Sequence, residues 1–495
     1  MFYISLIFYF FIIIFIAIVS YFLNKNLSDF LLANKNLSAP VIGIGAGTAD
    51  MSGWLMMGLP GAIFIFGVNQ IWIIIGLLLG AFCNWHFVAK RLRTFTGQIE
   101  KCLTVPCYLN YRFNDKKGHL SLLMSLVMII FFTFYSSAGF IAAARVLEFC
   151  FSISYLTCLL IVYFLIIFYI VVGGFFAINW IDFFQGTMIL MSLIILPYIA
   201  FSSLGGIEHT ISIIVTQSIH YSNILYKTDY IMIISSISWG LGYFGQPHIL
   251  VRFMAINDKD DINLAKIIGI LWMFLALSGA LFLGFVSIPF FSQCIVKNPE
   301  NIFIEMVNIL YKEHFLEGIM IGALLSAIIS TISAQIIGAT SALVEDIYHK
   351  YFRKKASNTE LLKFSRLSIF ILCSISLLFA LQPNSSILSR ISFAWAGMGS
   401  AFGPLILISL FYSKVTKIGG IAGIISGFTG AFFFPYFDYL GGWFAVYEIF
   451  PGFFISSFCI IFFSMLNIKY KKKFHNVEFS ENLYYKNMKK ALKGS

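Results

Sequence analysis

The sequence predicts an all-α protein that crosses a lipid bilayer about thirteen times. Two observations carry this. Hydrophobic residues fill 59% of the 495 positions and charged residues only 11%. Mean hydropathy is +0.89, more apolar surface than a water-soluble core can absorb. The apolar residues also come in runs of ~20, the length that spans a hydrocarbon core as a helix. Within lipid each backbone polar group must be paired inside the segment, so such runs are helical.

In order, the spans fall at about 3–22, 40–65, 69–89, 121–146, 154–174, 183–203, 230–250, 266–290, 316–344, 366–382, 391–412, 418–437 and 447–467. The first has no basic residue before it and no small-residue cleavage site after it. It reads as a retained helix rather than a signal peptide. The span 40–65 is interrupted by six glycines, Gly43 to Gly61, and by Pro60. The span 230–250 is likewise interrupted, by Gly240, Gly242, Gly245 and Pro247. The others are long apolar runs with few breaks. One membrane domain therefore covers residues 1–470, and a basic tail follows at 471–495.

A net charge of +11 invites a nucleic-acid reading, but charge placement argues against it. With the N-terminus outside, the inner segments hold 28 of the 33 Lys and Arg residues. The exceptions are Arg145, Lys227, Lys297, Lys312 and Arg390. That satisfies the positive-inside rule and puts the C-terminus in the cytoplasm. The eight cysteines are scattered. Cys102 and Cys107 share an inner loop with only His119 near, too few ligands for zinc, so all eight read as free thiols.

The two interrupted spans lie five helices apart. They would open two groups of five, at about 40–203 and 230–412, with 3–22, 418–437 and 447–467 as extra helices. An odd number of spans inverts the second group, and paired broken helices mark the binding site of an inverted-repeat transporter.

Chemistry concentrates in a few places. Asp50 is the one carboxylate in GIGAGTADMSGWLMMGLPGA, and an ion at membrane depth needs a partner or a wet cavity. It would bind Na⁺ directly or hold the unwound backbone around one. Ser52 and exposed backbone would meet a solute, and Trp54 would cover it. A small-residue packing face of the GxxxG kind explains the glycines; it leaves Asp50, Ser52 and Trp54 unexplained. Ala327, Ser330 and Thr331 share a helical face. Their hydroxyls are hard oxygen ligands for a small cation, or they simply bond the preceding turn. Trp239, Tyr243 and Pro247 follow at steps of four, either walling an apolar solute or packing as an aromatic stripe. Asp182 lies near the inner face, where it would receive an ion or pair with a basic residue. Tyr135 is a lone phenol in a span. No Walker A, HExxH, nucleophile elbow or carboxylate pair is present, so the chain is not read as an enzyme and no cofactor is expected. Any energy input comes from an ion gradient.

GTADMSGWLMMGLPGA, GGFFAINWIDFFQG, SWGLGYFGQPHILVRFMA, LLSAIISTISAQ and FAWAGMGSAFGP resemble the sodium:solute symporters, closest to their bacterial proline branch, from about residue 5 to 470. The resemblance implies a LeuT-like fold of 5+5 inverted repeats and one Na⁺ per L-proline carried by alternating access in a bacterial inner membrane. It implies no obligate protein partner. By position, Na⁺ would take backbone oxygens of Thr48, Met51 and Ala327 with the hydroxyls of Ser330 and Thr331, supported by Asp50. Proline would be bounded by Ser52, Gly53, Trp54, Tyr135, Trp239, Tyr243 and Pro247, and Asp182 would serve the inner Na⁺ route. Lys35 stands at the inner mouth where close relatives usually have arginine, and it lacks the planar fork. Thr48 replaces a usual alanine but contributes its carbonyl. The competing readings are a Na⁺ symporter for another small organic solute, and an uncoupled solute-gated channel or sensor. The latter needs a continuous polar pore, and the sequence shows only a local polar centre.

Overall fold

The computed structural model describes residues 1–475 except 24–25, 100–101, 218, 227, 293–295, 297 and 383–386. The tail from 476 onward, Lys25, Lys101, Lys227 and Lys297 lie outside the described residues. Among these the chain is helical throughout, with a single β-bridge between Leu37 and Ile256. Ten helices are long and apolar enough to cross a membrane, and the bent pair Ala39–Asp50 and Trp54–Phe66 makes an eleventh span.

The difference from thirteen falls in two places. Tyr155–Ser203 is one run of 49 residues, about 70 Å at 1.5 Å per residue and roughly twice a bilayer. It turns at Gly174, whose φ of 60° and ψ of −162° no L-residue adopts cheaply. The expected spans 154–174 and 183–203 are therefore two helices joined at this break and run together only in the residue count. Tyr230–Ala255 is the other place. It is divided into Tyr230–Ser238, a tight 3₁₀ stretch Trp239–Gly245, and Pro247–Ala255. Pro247 starts the last piece, where its missing N–H costs nothing.

Three spans lie deepest in the bundle: His119–Phe151, Phe315–Phe352 and Arg390–Phe411. They are the most buried, each 72–78% buried over its apolar window. Helices near the chain ends, such as Phe2–Leu23 and Ile449–Tyr470, are only 33% buried and turn large apolar side chains outward, as lipid contact requires.

On the basic-rich side, short contacts tie the broken spans together. The Leu37 amide donates to Ala255 O (3.2 Å) and the Asn257 amide to Leu37 O (3.0 Å). Arg93 donates to Ile256 O at 2.7 Å and to Asn257 O at 2.9 Å. Lys35 Nζ donates to Thr96 O (2.8 Å) and Ile99 O (3.0 Å), the carbonyl end of the helix Lys90–Gly97, where a cation is favoured. The expected inner-gate residue is therefore a clip between the entry to the first broken span and the helix beside it. Asp115 anchors the start of His119–Phe151, accepting from the Gly118 and Leu120 amides at 3.0 and 2.9 Å and from Lys417 Nζ at 2.8 Å. Burial pushes its carboxyl up, but those donors outweigh it and hold the group below the usual carboxylate range.

Candidate functional site

The first break is made by backbone geometry. Met51 leaves helical angles (φ −80°, ψ 74°), and the chain resumes from Trp54 at an angle of 63°. Helix ends leave carbonyls and amides unpaired. Here the carbonyl end of Ala39–Asp50 and the amide end of Trp54–Phe66 meet in the middle of one apolar span. The break presses on the helix Phe315–Ser341. A Cβ on Gly53 would come within 2.9 Å of Ile328 Cγ1, so any larger residue would push Ile328 aside.

That helix delivers the hydroxyls. Ser330 Oγ lies 3.1 Å from Thr48 O and 3.2 Å from Ala327 O, and Thr331 Oγ1 lies 3.2 Å from Ala327 O. Thr48, Ala327 and Ser330 are fully buried and Thr331 nearly so. Four of the five expected oxygen contributors thus form one dry cluster, bridging helices 282 residues apart in sequence. Met51, the fifth, is buried at the break beside Asp50 and Ser52. The Thr48 hydroxyl points elsewhere, donating to Ile44 O at 2.9 Å, so it leaves the carbonyl to the cluster. Packed oxygen donors of this kind suit a small hard cation.

Beside the cluster lie two small cavities that share Ser52, Tyr135 and Ile391. One, with a volume of about 20 Å³, is bounded by Asp50, Met51, Ser52, Trp54, Trp239 and Trp395 among others. Its aromatic wall is built: the Trp54 and Trp239 rings stack at 6.0 Å and 22°. Tyr447 backs Trp239 at 4.9 Å. Trp395 Nε1 donates to Trp239 O at 2.9 Å. The other cavity, about 10 Å³, is bounded by Gly53, Thr331 and Gln335 besides the shared residues. Ser52, Gly53, Trp54, Tyr135 and Trp239 are therefore divided between two adjoining spaces.

Tyr243 and Pro247 stand off from it, which revises the expected stripe. Steps of four align residues on an α-helix, but Trp239–Gly245 is 3₁₀. With three residues per turn, Tyr243 is rotated about 120° from Trp239. Its hydroxyl instead makes a very short bond to Asp50 Oδ2, joining the two broken spans. The carbonyl that Pro247 frees, Tyr243 O, is taken by Asn84 Nδ2 at 3.0 Å. Pro247 shapes the break and lines neither cavity. Tyr243→Phe should therefore loosen the join between the two broken spans, by about 1.5–3 kcal/mol for a hydrogen bond to a charged group; a lower melting temperature of the variant checks this.

Asp182 is committed to a partner. Its Oδ2 lies 2.6 Å from Arg252 Nη2, and both side chains are 1% exposed. Arg252 Nη1 also donates to Asn179 Oδ1 at 3.1 Å. Of the two sequence readings, ion receiver or basic partner, this conformation displays the pair. Asn84, Trp395, Gln335 and Arg252 were not singled out from sequence. Gln335 carried a weak signal, since it lies one turn beyond Thr331.

Comparison with known proteins places this geometry. A family model described as the sodium:solute symporter family matches residues 30–427. The chain belongs to the sodium:solute symporter family. It is 39% identical over 464 residues to the sodium/proline symporter of Escherichia coli (strain K12), covering 92% of this chain and 91% of that protein. It is 41% identical over 457 residues to the high-affinity proline transporter PutP of Bacillus subtilis (strain 168), covering 91% and 95%. Among solved structures it resembles a substrate-bound, outward-open Na⁺-coupled sialic acid symporter, with a TM-score of 0.81 at 16% identity over 94% of this chain and 97% of that one. Mhp1, a nucleobase-cation-symport-1 family transporter in a closed conformation, gives 0.59 at 11% identity over 93% and 99%. These likenesses establish the LeuT-like fold. This member of the sodium:solute symporters is a multi-pass membrane transporter and not an enzyme.

Proposed function

We propose that the chain imports L-proline with Na⁺, about one ion per proline, by alternating access. The observation that carries this is the meeting of two unlike environments at one helix break. Dry oxygens of Thr48, Ala327, Ser330 and Thr331 adjoin a cavity walled by Trp54, Trp239 and Trp395. The inner half-helix ends in carbonyls, which hold a cation; the outer half begins with amides, which attract a carboxylate. Proline has the matching parts: a carboxylate and an apolar ring. Met51 O completes the Na⁺ set, Asp50 supports it, and Ser52, Gly53, Trp54, Tyr135 and Trp239 bound the solute. Tyr243 and Pro247 act one step back, on the break itself. Asp182 passes Na⁺ inward once Arg252 withdraws, and Lys35 keeps the inner clip closed. Repeats at about 40–203 and 230–412 rock around this site. The protein sits in a bacterial inner membrane, N-terminus outside and C-terminus cytoplasmic, and acts without an obligate protein partner.

Binding tests this reading. Purified protein should bind labelled L-proline only with Na⁺, and other small solutes should compete poorly. Na⁺-independent binding, or preference for an unrelated solute, contradicts it. Thr331→Ala removes one oxygen ligand of a charged group, on the order of 1.5–3 kcal/mol. The Na⁺ needed for half-maximal binding should rise about tenfold or more, while proline affinity at saturating Na⁺ changes little. Trp239→Ala should do the reverse, because losing a buried aromatic wall removes about 1–3 kcal/mol of apolar burial. Proline affinity should fall about ten- to hundredfold with Na⁺ binding intact. Proline titrations across a Na⁺ series separate the two variants.

A further inference from the structure

We infer that Gln335 is a carboxylate-recognising residue of the solute site. The inference rests on the proline reading above and names one group of the ligand.

Gln335 is fully buried in the serine-rich helix. Its Oε1 accepts from Ser136 Oγ at 3.1 Å, which fixes the amide plane and turns the NH₂ away from Ser136. That Nε2 has no hydrogen-bond partner. A buried amide donor left unmade is costly, and Gln335 is one of the residues lining the cavity that Ser52, Gly53, Tyr135 and Thr331 also line. Gln335 lies four residues beyond Thr331, hence on the same helical face. An anion in this cavity would lie between three attractions: Na⁺ held by Ser330 and Thr331, the amide end of the outer half-helix, and the Gln335 NH₂. The pyrrolidine ring would then extend into the neighbouring tryptophan-walled cavity, which shares Ser52, Tyr135 and Ile391 with this one. The uncharged amide suits a site that already has a cation. A lysine or arginine there would repel Na⁺, and a glutamate would repel the carboxylate.

Purified wild type, Gln335→Met and Gln335→Glu are titrated with labelled L-proline at saturating Na⁺ and competed with L-prolinamide, which keeps the ring and amine but lacks the carboxylate. Methionine keeps the length and loses the donor. Proline affinity should fall about ten- to hundredfold, the usual range for a hydrogen bond to a charged group, and prolinamide affinity should fall by less than about threefold. Gln335→Glu should bind proline more weakly than Gln335→Met and prefer prolinamide over proline. Should either variant misfold, Ser136→Ala supplies the second test: freeing the amide should weaken proline a few-fold and spare prolinamide. Variants that bind proline as wild type does, or lose both ligands by the same factor, overturn the assignment and make Gln335 a packing residue. Wild-type protein that binds no proline overturns the proline reading itself, and this inference with it.

Discussion

Asp50→Asn should nearly abolish Na⁺-driven uptake in a protein that still folds. The carboxylate is 8% exposed and lies two residues beyond Thr48, whose carbonyl joins the Ser330 cluster. Two opposite unit charges about 6 Å apart attract by on the order of 2–3 kcal/mol at an effective dielectric near 20, about thirty- to hundred-and-fortyfold in affinity. Asparagine also weakens the bond from Tyr243 that ties the first break to the second, so the Thr48 carbonyl loses its fixed position as well. Glutamate keeps the charge with a longer reach and should retain part of the activity. Initial uptake rates across a Na⁺ series, with thermal melts as the folding control, read this out. Wild-type Na⁺ activation in the asparagine variant would remove Asp50 from the ion's support.

The second large effect is on stability. Arg252 and Asp182 form an ion pair with both side chains 1% exposed. Removing one partner leaves a buried charge uncompensated, a loss of about 3–5 kcal/mol. Arg252→Gln should therefore lower the melting temperature sharply in detergent, and Asp182→Asn should do likewise. The double variant should recover most of the loss, because a neutral pair carries no uncompensated charge. Additive destabilisation in the double variant would mean that the pair is not coupled. If Asp182 also relays Na⁺ inward, the thermally recovered double variant should still exchange Na⁺ slowly.

Most of the architecture was legible because membrane helices announce themselves by length and hydropathy. The first break was legible for a local reason: Asp50 and Pro60 among glycines cannot sit in an ordinary lipid-facing helix. Ser330 and Thr331 were legible because an α-helix places them and Ala327 on one face. Tyr243 sits off the cavity lining and on Asp50 because a spacing of four aligns side chains on an α-helix and misaligns them on the 3₁₀ stretch that Pro247 ends. The partner of Asn179 and Asp182 was hidden because Arg252 lies 70 or more residues away in sequence and meets them only once the fold brings the spans together. Asn84 and Trp395 were invisible for the same non-local reason: each meets the second break across 149–159 residues of chain.

Transport in a purified system tests the central claim most directly. Reconstituted into proteoliposomes, the protein should accumulate labelled L-proline above its external concentration under an inward Na⁺ gradient. With K⁺ in place of Na⁺ it should give no accumulation. Proline accumulation that is indifferent to the Na⁺ gradient, or downhill equilibration alone, would contradict the account.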